Sequence, residues 1–395
     1  MKKFSFLLVL VSGYTFFSAN AAVSELERQF IKGNITEKTE LVQKSASSTE
    51  NLSLTALDYV IENAPALGED LQLKELALAA VVSLNQTNEQ IEEKLSAIFY
   101  SFTDETIRVE ILNKFNIFQS ESNTIATRII NDYLTNAFNS GFEGNPVIKS
   151  SIVCAGRFGN QETLNILYNI LHAKKWPLFT PETENSFVNL SKKYEYDTIK
   201  ILSGLEFTEA AEYFTILSKS EQISQIFLCE VAENMLFSTI TKAETLQETS
   251  KEYQESFADL QILAMEILSK NKWSHASEAV NSTVKISKKE YEDKILSEEK
   301  FIQIITYSIS LPTSELAQIL SGFLAECNGK VELASSDTDS RIEMPAKQVV
   351  LALIKALGSL GDKTAFDNLL YVTYLNNYPV EVIEEAKTAL TSLKW

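Results

Sequence analysis

Two histidines, three cysteines and a few carboxylate pairs are the side chains on which any chemistry of this 395-residue sequence would depend. His172 and His275 stand in separate regions, and neither belongs to a His-Glu-x-x-His metal motif. No Gly-x-Ser-x-Gly elbow, Walker loop or dinucleotide fingerprint occurs. Gly156-Arg157-Phe158-Gly159 has glycines spaced as in a phosphate loop, but it follows a helical pattern, so it is expected to be a helix terminus. Asp337, Asp339 and Glu343 invite a calcium reading. The sixth position from Asp337 is not glycine, and the twelfth is Gln348 where a bidentate Glu is required, which excludes an EF-hand. Glu298-Glu299 and Glu384-Glu385 are expected on solvated helix faces. The sequence therefore assigns no catalytic residue, metal or cofactor.

Cys154, Cys229 and Cys327 are an odd set for an oxidising compartment. Helices pack about 8–10 Å apart, so cysteines two repeat units apart, as Cys154 and Cys229 are, cannot approach the ~7 Å that a disulfide needs. Both read as buried small apolar residues, and Cys327 as a helix-end thiol.

The elements that must carry these groups are plainest from Ala346 to Leu393. Val349, Val350, Leu353, Ala356 and Leu357 recur at helical spacing. Gly358 and Gly361 are expected to end that helix in left-handed conformations. Asp362 stands as an N-cap before a second helix carrying Phe366, Leu369, Leu370 and Thr373 on its inner face. Pro379 opens a third helix, with Val382, Ile383, Ala386, Ala389, Leu390 and Leu393 on one face and charged residues on the other, as a terminal cap requires. Ala389 to Leu393 echoes Ala356 to Leu360 at an offset of 33 residues, counting Leu393 against Leu360. A further copy lies upstream, where Cys154-Ala155-Gly156-Arg157-Phe158-Gly159-Asn160 matches Ala356 to Asp362. Such self-similarity marks a stacked array of helix hairpins.

The Ala-Leu-Gly-x-Leu-Gly-Asp pattern resembles HEAT repeats, in particular the HEAT-like repeats of the phycobilisome-lyase type, over Asn145–Leu171 and Lys347–Leu393. The resemblance implies an all-α fold, an α-solenoid of stacked antiparallel helix hairpins of the HEAT/armadillo kind. Lyase chemistry, suggested by the family name alone, is disfavoured because nothing here matches a chromophore site. Such repeats host many functions.

Residues 1–21 read as a signal peptide: Lys2 and Lys3, an apolar stretch from Phe4 to Phe17, then Ala19-Asn20-Ala21. Cleavage after Ala21 predicts export to a bacterial periplasm, with secretion beyond it the alternative, and no later segment is long enough to span a membrane. Residues 22–51 are an N-terminal cap or a loosely ordered lead-in. Residues 52–327 form the helical array, with a candidate seam at 174–182 where Trp176-Pro177-Leu178-Phe179-Thr180-Pro181 breaks the pattern. Within it, Asn271–Glu290 reads as a polar connection holding a short helix. Residues 328–345 read as a polar loop, mobile or functional, and 346–395 as the last repeat and cap.

Twelve Gly and seven Pro are few, which fits helices rather than loop-rich folds. A net charge of −18 repels phosphates, which argues against nucleic acid as partner. Two functions stand. One is a non-catalytic scaffold or adaptor for a protein partner in the cell envelope. The other is a secreted enzyme on an α/α array, for instance polysaccharide-processing; its cleft would need clustered acids and aromatic residues, but Trp176, Trp273 and Trp395 are widely spread. The scaffold is the preferred reading. Tyr371, Tyr374 and Tyr378 form a stripe about 110° from the inner face of their helix on the 100° rule. These rings either pack under the neighbouring repeat or offer a docking surface.

Overall fold

Polar caps start the helices. Ser24, Asn34, Asp70, Asn88, Asn160, Ser224, Ser250 and Ser297 each accept a hydrogen bond from the backbone N–H three residues on, satisfying donors that the first helical turn leaves free. The computed structural model describes residues 24–86, 88–117, 124–243, 250–336 and 343–394. The expected signal peptide, Trp395 and part of the expected polar loop lie outside these residues.

The chain is all-α: among the described residues there are twenty α-helices and no β-strand, and one parallel bridge joins Asp362 to Lys394. Its contacts define two compact units, one of residues up to Ile129 with Asn145–Ser150, the other of Ile130–Gly144 with the chain from Ser151 onward. The first unit holds α1 (Glu25–Lys32), α2 (Ile35–Ser45), α3 (Ser53–Leu67), α4 (Leu71–Val82), α5 (Glu89–Ser101) and α6 (Glu105–Ile117). The helices α7 (Thr124–Asn139) and α8 (Pro146–Phe158) run across the division. The second unit continues with α9 (Gln161–His172), α10 (Thr180–Lys193), α11 (Glu195–Gly204), α12 (Phe207–Ser218), α13 (Gln225–Lys242), α14 (Lys251–Asn271), α15 (Ser277–Glu292) and α16 (Glu298–Ser308). It ends with α17 (Ser314–Ser336), α18 (Lys347–Leu360), α19 (Phe366–Tyr374) and α20 (Val380–Thr391).

Within each unit a helix packs on its hairpin partner and on the helix two places along. In the first, α2 meets α4, α3 meets α5 and α4 meets α6; in the second, this alternation runs from α10 on α12 to α18 on α20. Stacked hairpins give this pattern, so the all-α, solenoid-like fold expected from the repeats is present. Phe99, Phe102 and Phe115 fill the first core, and Phe187, Phe207, Phe214, Phe227 and Phe257 the second.

The repeat glycines do two different jobs, which corrects the expectation that both end a helix. Gly361 is left-handed, at φ 66°, and terminates α18. Gly358 lies inside α18, where an added Cβ would stand 2.9 Å from the Cβ of Ala389 on α20. Gly156, its counterpart in the upstream copy, would carry a Cβ 2.7 Å from Ser186 Oγ on α10. The pattern therefore encodes close approach between neighbouring helices as much as a turn. Asp362 caps as expected, accepting from the Thr364 N–H at 2.9 Å, and this hydrogen bond holds its carboxyl below the ordinary range.

Two other expectations change. Asn271–Glu290 is not mainly a connection: Ser277–Glu292 is a 16-residue helix. Its buried face carries Asn281, Thr283, Ser287 and Glu290 beside Ala279, Val280 and Val284, so polarity at core positions hid the periodicity. The polar loop also begins later, because α17 continues to Ser336.

A second internal repeat involves no glycine turn. Ile170-Leu171 and Lys175-Trp176 recur as Ile267-Leu268 and Lys272-Trp273, 97 residues on (Trp273 against Trp176). Asn185-Ser186-x-Val188-x-x-Ser191-Lys192-Lys193 recurs as Asn281-Ser282-x-Val284-x-x-Ser287-Lys288-Lys289, 96 residues on. Both copies are a helix, a Lys-Trp turn, a short 3-10 turn and a helix. Left-handed residues make the turns, Lys174 and Trp176 in the first copy and Lys272 in the second. In each the indole reaches back to an earlier helix pair: Trp176 Nε1 donates to Phe142 O at 2.8 Å, and Trp273 Nε1 to Glu233 Oε2 at 3.0 Å.

Candidate functional site

The tyrosines of the last repeat are placed by a buried polar ladder between α17 and α19. Asn368 Nδ2 donates to Ser321 O at 3.0 Å and to Ser321 Oγ at 2.8 Å. Asn328 Nδ2 donates to Asn368 O at 3.0 Å. Leu369 and Val372 complete the buried side of α19, while Phe366, Leu370 and Thr373, expected there with Leu369, are half-buried.

Tyr371 and Tyr374 project outward, 37% and 69% exposed. The Glu332 carboxylate accepts a hydrogen bond from the Tyr371 hydroxyl and holds the phenol above its ordinary range, with burial and the like charge adding to the shift. Leu333, beside Glu332, and Val380, at the start of α20, are also exposed apolar side chains.

Tyr378 does not join them. It is buried, and its hydroxyl donates to Asn328 Oδ1 at 3.0 Å, extending the ladder. The reason is local: α19 ends at Tyr374 and Leu375 turns extended, so the 100° spacing stops before position 378. Burial raises the Tyr378 phenol far above its usual range. The three-residue stripe thus becomes two exposed rings and one anchor.

The chemistry-bearing residues are dispersed. His275 Nδ1 lies 2.8 Å from Glu233 Oε1, the carboxylate that also accepts the Trp273 indole. Glu233 is nearly buried, and its hydrogen bond and charge raise the exposed His275 above the usual imidazole range. His172 Nδ1 pairs with Glu209 Oε1 at 3.1 Å, with the Tyr168 ring stacked on the imidazole. The histidine–glutamate pairs stand 42 and 37 residues apart in the chain, and no short motif announces them. Cys154 and Cys229 are buried free thiols, and Cys327 is half-buried and free.

The Gly156–Gly159 segment ends α8 as expected. A Cβ at Gly159 would stand 2.4 Å from Ala155 O, and the Gly159 carbonyl accepts from Lys193 Nζ at 3.3 Å. Asp337 and Asp339 lie outside the described residues, and Glu343 pairs with Lys294 at 3.5 Å. Glu384 pairs with Lys387 at 2.7 Å. Among the described residues no three His, Cys, Asp or Glu side chains gather as a metal site would need, and no helix is long and apolar enough to cross a membrane. No protein-family model matches the chain, and no curated protein or solved structure matches it.

Proposed function

We propose that this chain is a non-catalytic protein-binding scaffold or adaptor of the bacterial cell envelope, built from HEAT-like repeats and exported through its N-terminal leader. The observation that carries the reading is the pair of exposed rings, Tyr371 and Tyr374, on a helix fixed from beneath by the Ser321–Asn368–Asn328–Tyr378 ladder. Tyrosine presents a large amphipathic surface at small entropic cost, and a rigid base reduces the ordering cost of binding. Two further features support HEAT-like repeats: the close-approach glycines Gly156 and Gly358, and the caps Asn160 and Asp362 at matching positions. The acidic surface suits a partner with basic segments rather than a nucleic acid.

The test replaces Tyr371 and Tyr374 together by serine. Circular dichroism and melting should stay within error of the parent, while recovery of crosslinked envelope proteins falls. Undiminished recovery by the double variant would remove this face from the binding surface.

A further inference from the structure

Each end of α15 carries an ionisable side chain whose surroundings depend on the docking of that helix. It packs on α13, α16 and α17. At its start, the Glu233 carboxylate of α13 accepts the Trp273 indole N–H at 3.0 Å and lies 2.8 Å from His275 Nδ1. Glu233 is nearly buried, and these two contacts offset its loss of water. At the other end Glu290 is buried, with no hydrogen-bond partner for its Oε1. The earlier copy of this module has neither group. Leu178 stands two residues after Trp176, where His275 stands two after Trp273. Tyr194 follows Lys192-Lys193, where Glu290 follows Lys288-Lys289, and its hydroxyl makes an uncharged contact, donating to Gly159 O at 3.4 Å. The helix α10 is thus the counterpart of α15 without the two proton-binding side chains.

Around the late end of α15, Lys288 is bound between Glu292 and Glu326 of α17, and Lys289 is exposed. Glu298 of α16, Cys327 of α17 and Glu343 act on the neighbouring Tyr291. None of these, and no group of α13, shifts Glu290, which burial alone raises to about 8 from 4.5. Around the early end, Glu315 of α17 is bound by Asn281 and Lys285, and Glu278 is exposed. The hydrogen bond from Glu233, with the charges of Glu233 and Glu230, raises His275 above 6.5. Both groups therefore hold a proton more firmly when α15 is docked. Glu290 supports docking fully below 4.5 and withdraws that support as pH rises through about 8, while His275 withdraws its share from 6.5 upward. The two signs agree.

We infer that α15 is a pH-responsive element of the second unit, held on α13 in mild acid and progressively freed as the solution turns alkaline, whereas its counterpart α10 is indifferent to pH. The device is independent of the tyrosine surface on α19 and does not rest on the scaffold reading. Because α15 packs on both α13 and α17, freeing it loosens the tie between the helices before it and those after it.

The experiment is amide hydrogen exchange of the full chain, read peptide by peptide by mass spectrometry at several values between about pH 5.5 and 8.5 and corrected for the intrinsic rate at each pH. Protection of the α15 peptides should fall about tenfold per pH unit up to about pH 8, the linkage of one proton, while protection of the α10 peptides stays level. Glu290→Gln should remove most of the fall, and Glu290→Gln with His275→Gln should remove all of it. Equal falls in α10 and α15 would overturn the inference, since the unit would then open as a whole. Protection of α15 that does not change with pH in the parent would overturn it without recourse to any variant. A fall of undiminished size in Glu290→Gln would overturn it too, because the proton would then be bound elsewhere.

Discussion

Glu290→Gln should make the protein more stable, and more so as pH rises. Glu290 is on the core face of α15, only 5% exposed, and its Oε1 has no hydrogen-bond partner. Thr283 and Ser287 on the same face likewise have unpartnered hydroxyls, so the carboxylate gains nothing to offset its burial. Desolvation pushes it up to about 8 from 4.5. In the unfolded chain it ionises near 4.5; in the folded chain it keeps its proton to about 8. Between those values the folded state binds the extra proton, so stability falls as pH rises, and the loss is complete above about 8. From 4.5 to pH 7 is 2.5 pH units at about 1.36 kcal/mol each, which gives about 3 kcal/mol at neutral pH. The neutral glutamine of similar shape removes that penalty. Urea titrations of parent and variant at pH 4.5, 7 and 8.5 should show curves that coincide at the lowest pH and separate by about 3 kcal/mol at neutral pH. A variant equal to or weaker than the parent at pH 8.5 would refute the reasoning, because the carboxylate would then have a partner when ionised.

Three other outcomes follow from the geometry. Gly358→Ala should destabilise by about 1–3 kcal/mol through overpacking against Ala389, and adding Ala389→Gly should restore part of the loss; a thermal melt of the single and double variants decides it. Tyr378→Phe should cost about 1 kcal/mol by deleting the bond to Asn328, whereas Tyr374→Phe should leave the denaturation midpoint unchanged. His275 should titrate above an ordinary imidazole by NMR and return to the ordinary range in Glu233→Gln. The stabilising pair is fully formed below the unfolded imidazole pKa and is lost as pH rises through the raised folded value.

The fold was legible wherever apolar residues kept helical spacing. From α3 to α7 the helical array expected over residues 52–327 is present, because Leu57, Val60, Leu76 and Ile98 face the core at regular intervals. The cap face of α20 was legible for the same reason: Val382, Ala386 and Ala389 are buried. The core of α15 was not, since Asn281, Thr283, Ser287 and Glu290 look like surface residues in a sequence. Gly358 was assigned a turn because sequence cannot show the neighbouring helix that Gly358 must admit. The tyrosines were half legible. Tyr371 and Tyr374 obey the helical wheel, but Tyr378 lies beyond the helix end, and its partner Asn328 is 50 residues away. His275 and Glu233 meet only because α13 and α15 stack, a pairing no local pattern carries.

The ties between stacked helices in the second unit reach back by a limited length of chain. Ser186 bonds to Ile152, 34 residues earlier; Trp273 to Glu233, 40 earlier; and Tyr378 to Asn328, 50 earlier. Each closes once about fifty residues are available, without waiting for the far end of the sequence, so the entropy cost of loop closure stays small at every step. A chain delivered end first, from a ribosome or through a secretion pore, can therefore lock one hairpin on the last as it emerges. The Lys394 N–H, bonded to Gly361 O at 2.8 Å, closes in the same way on a residue 33 positions earlier (394 against 361).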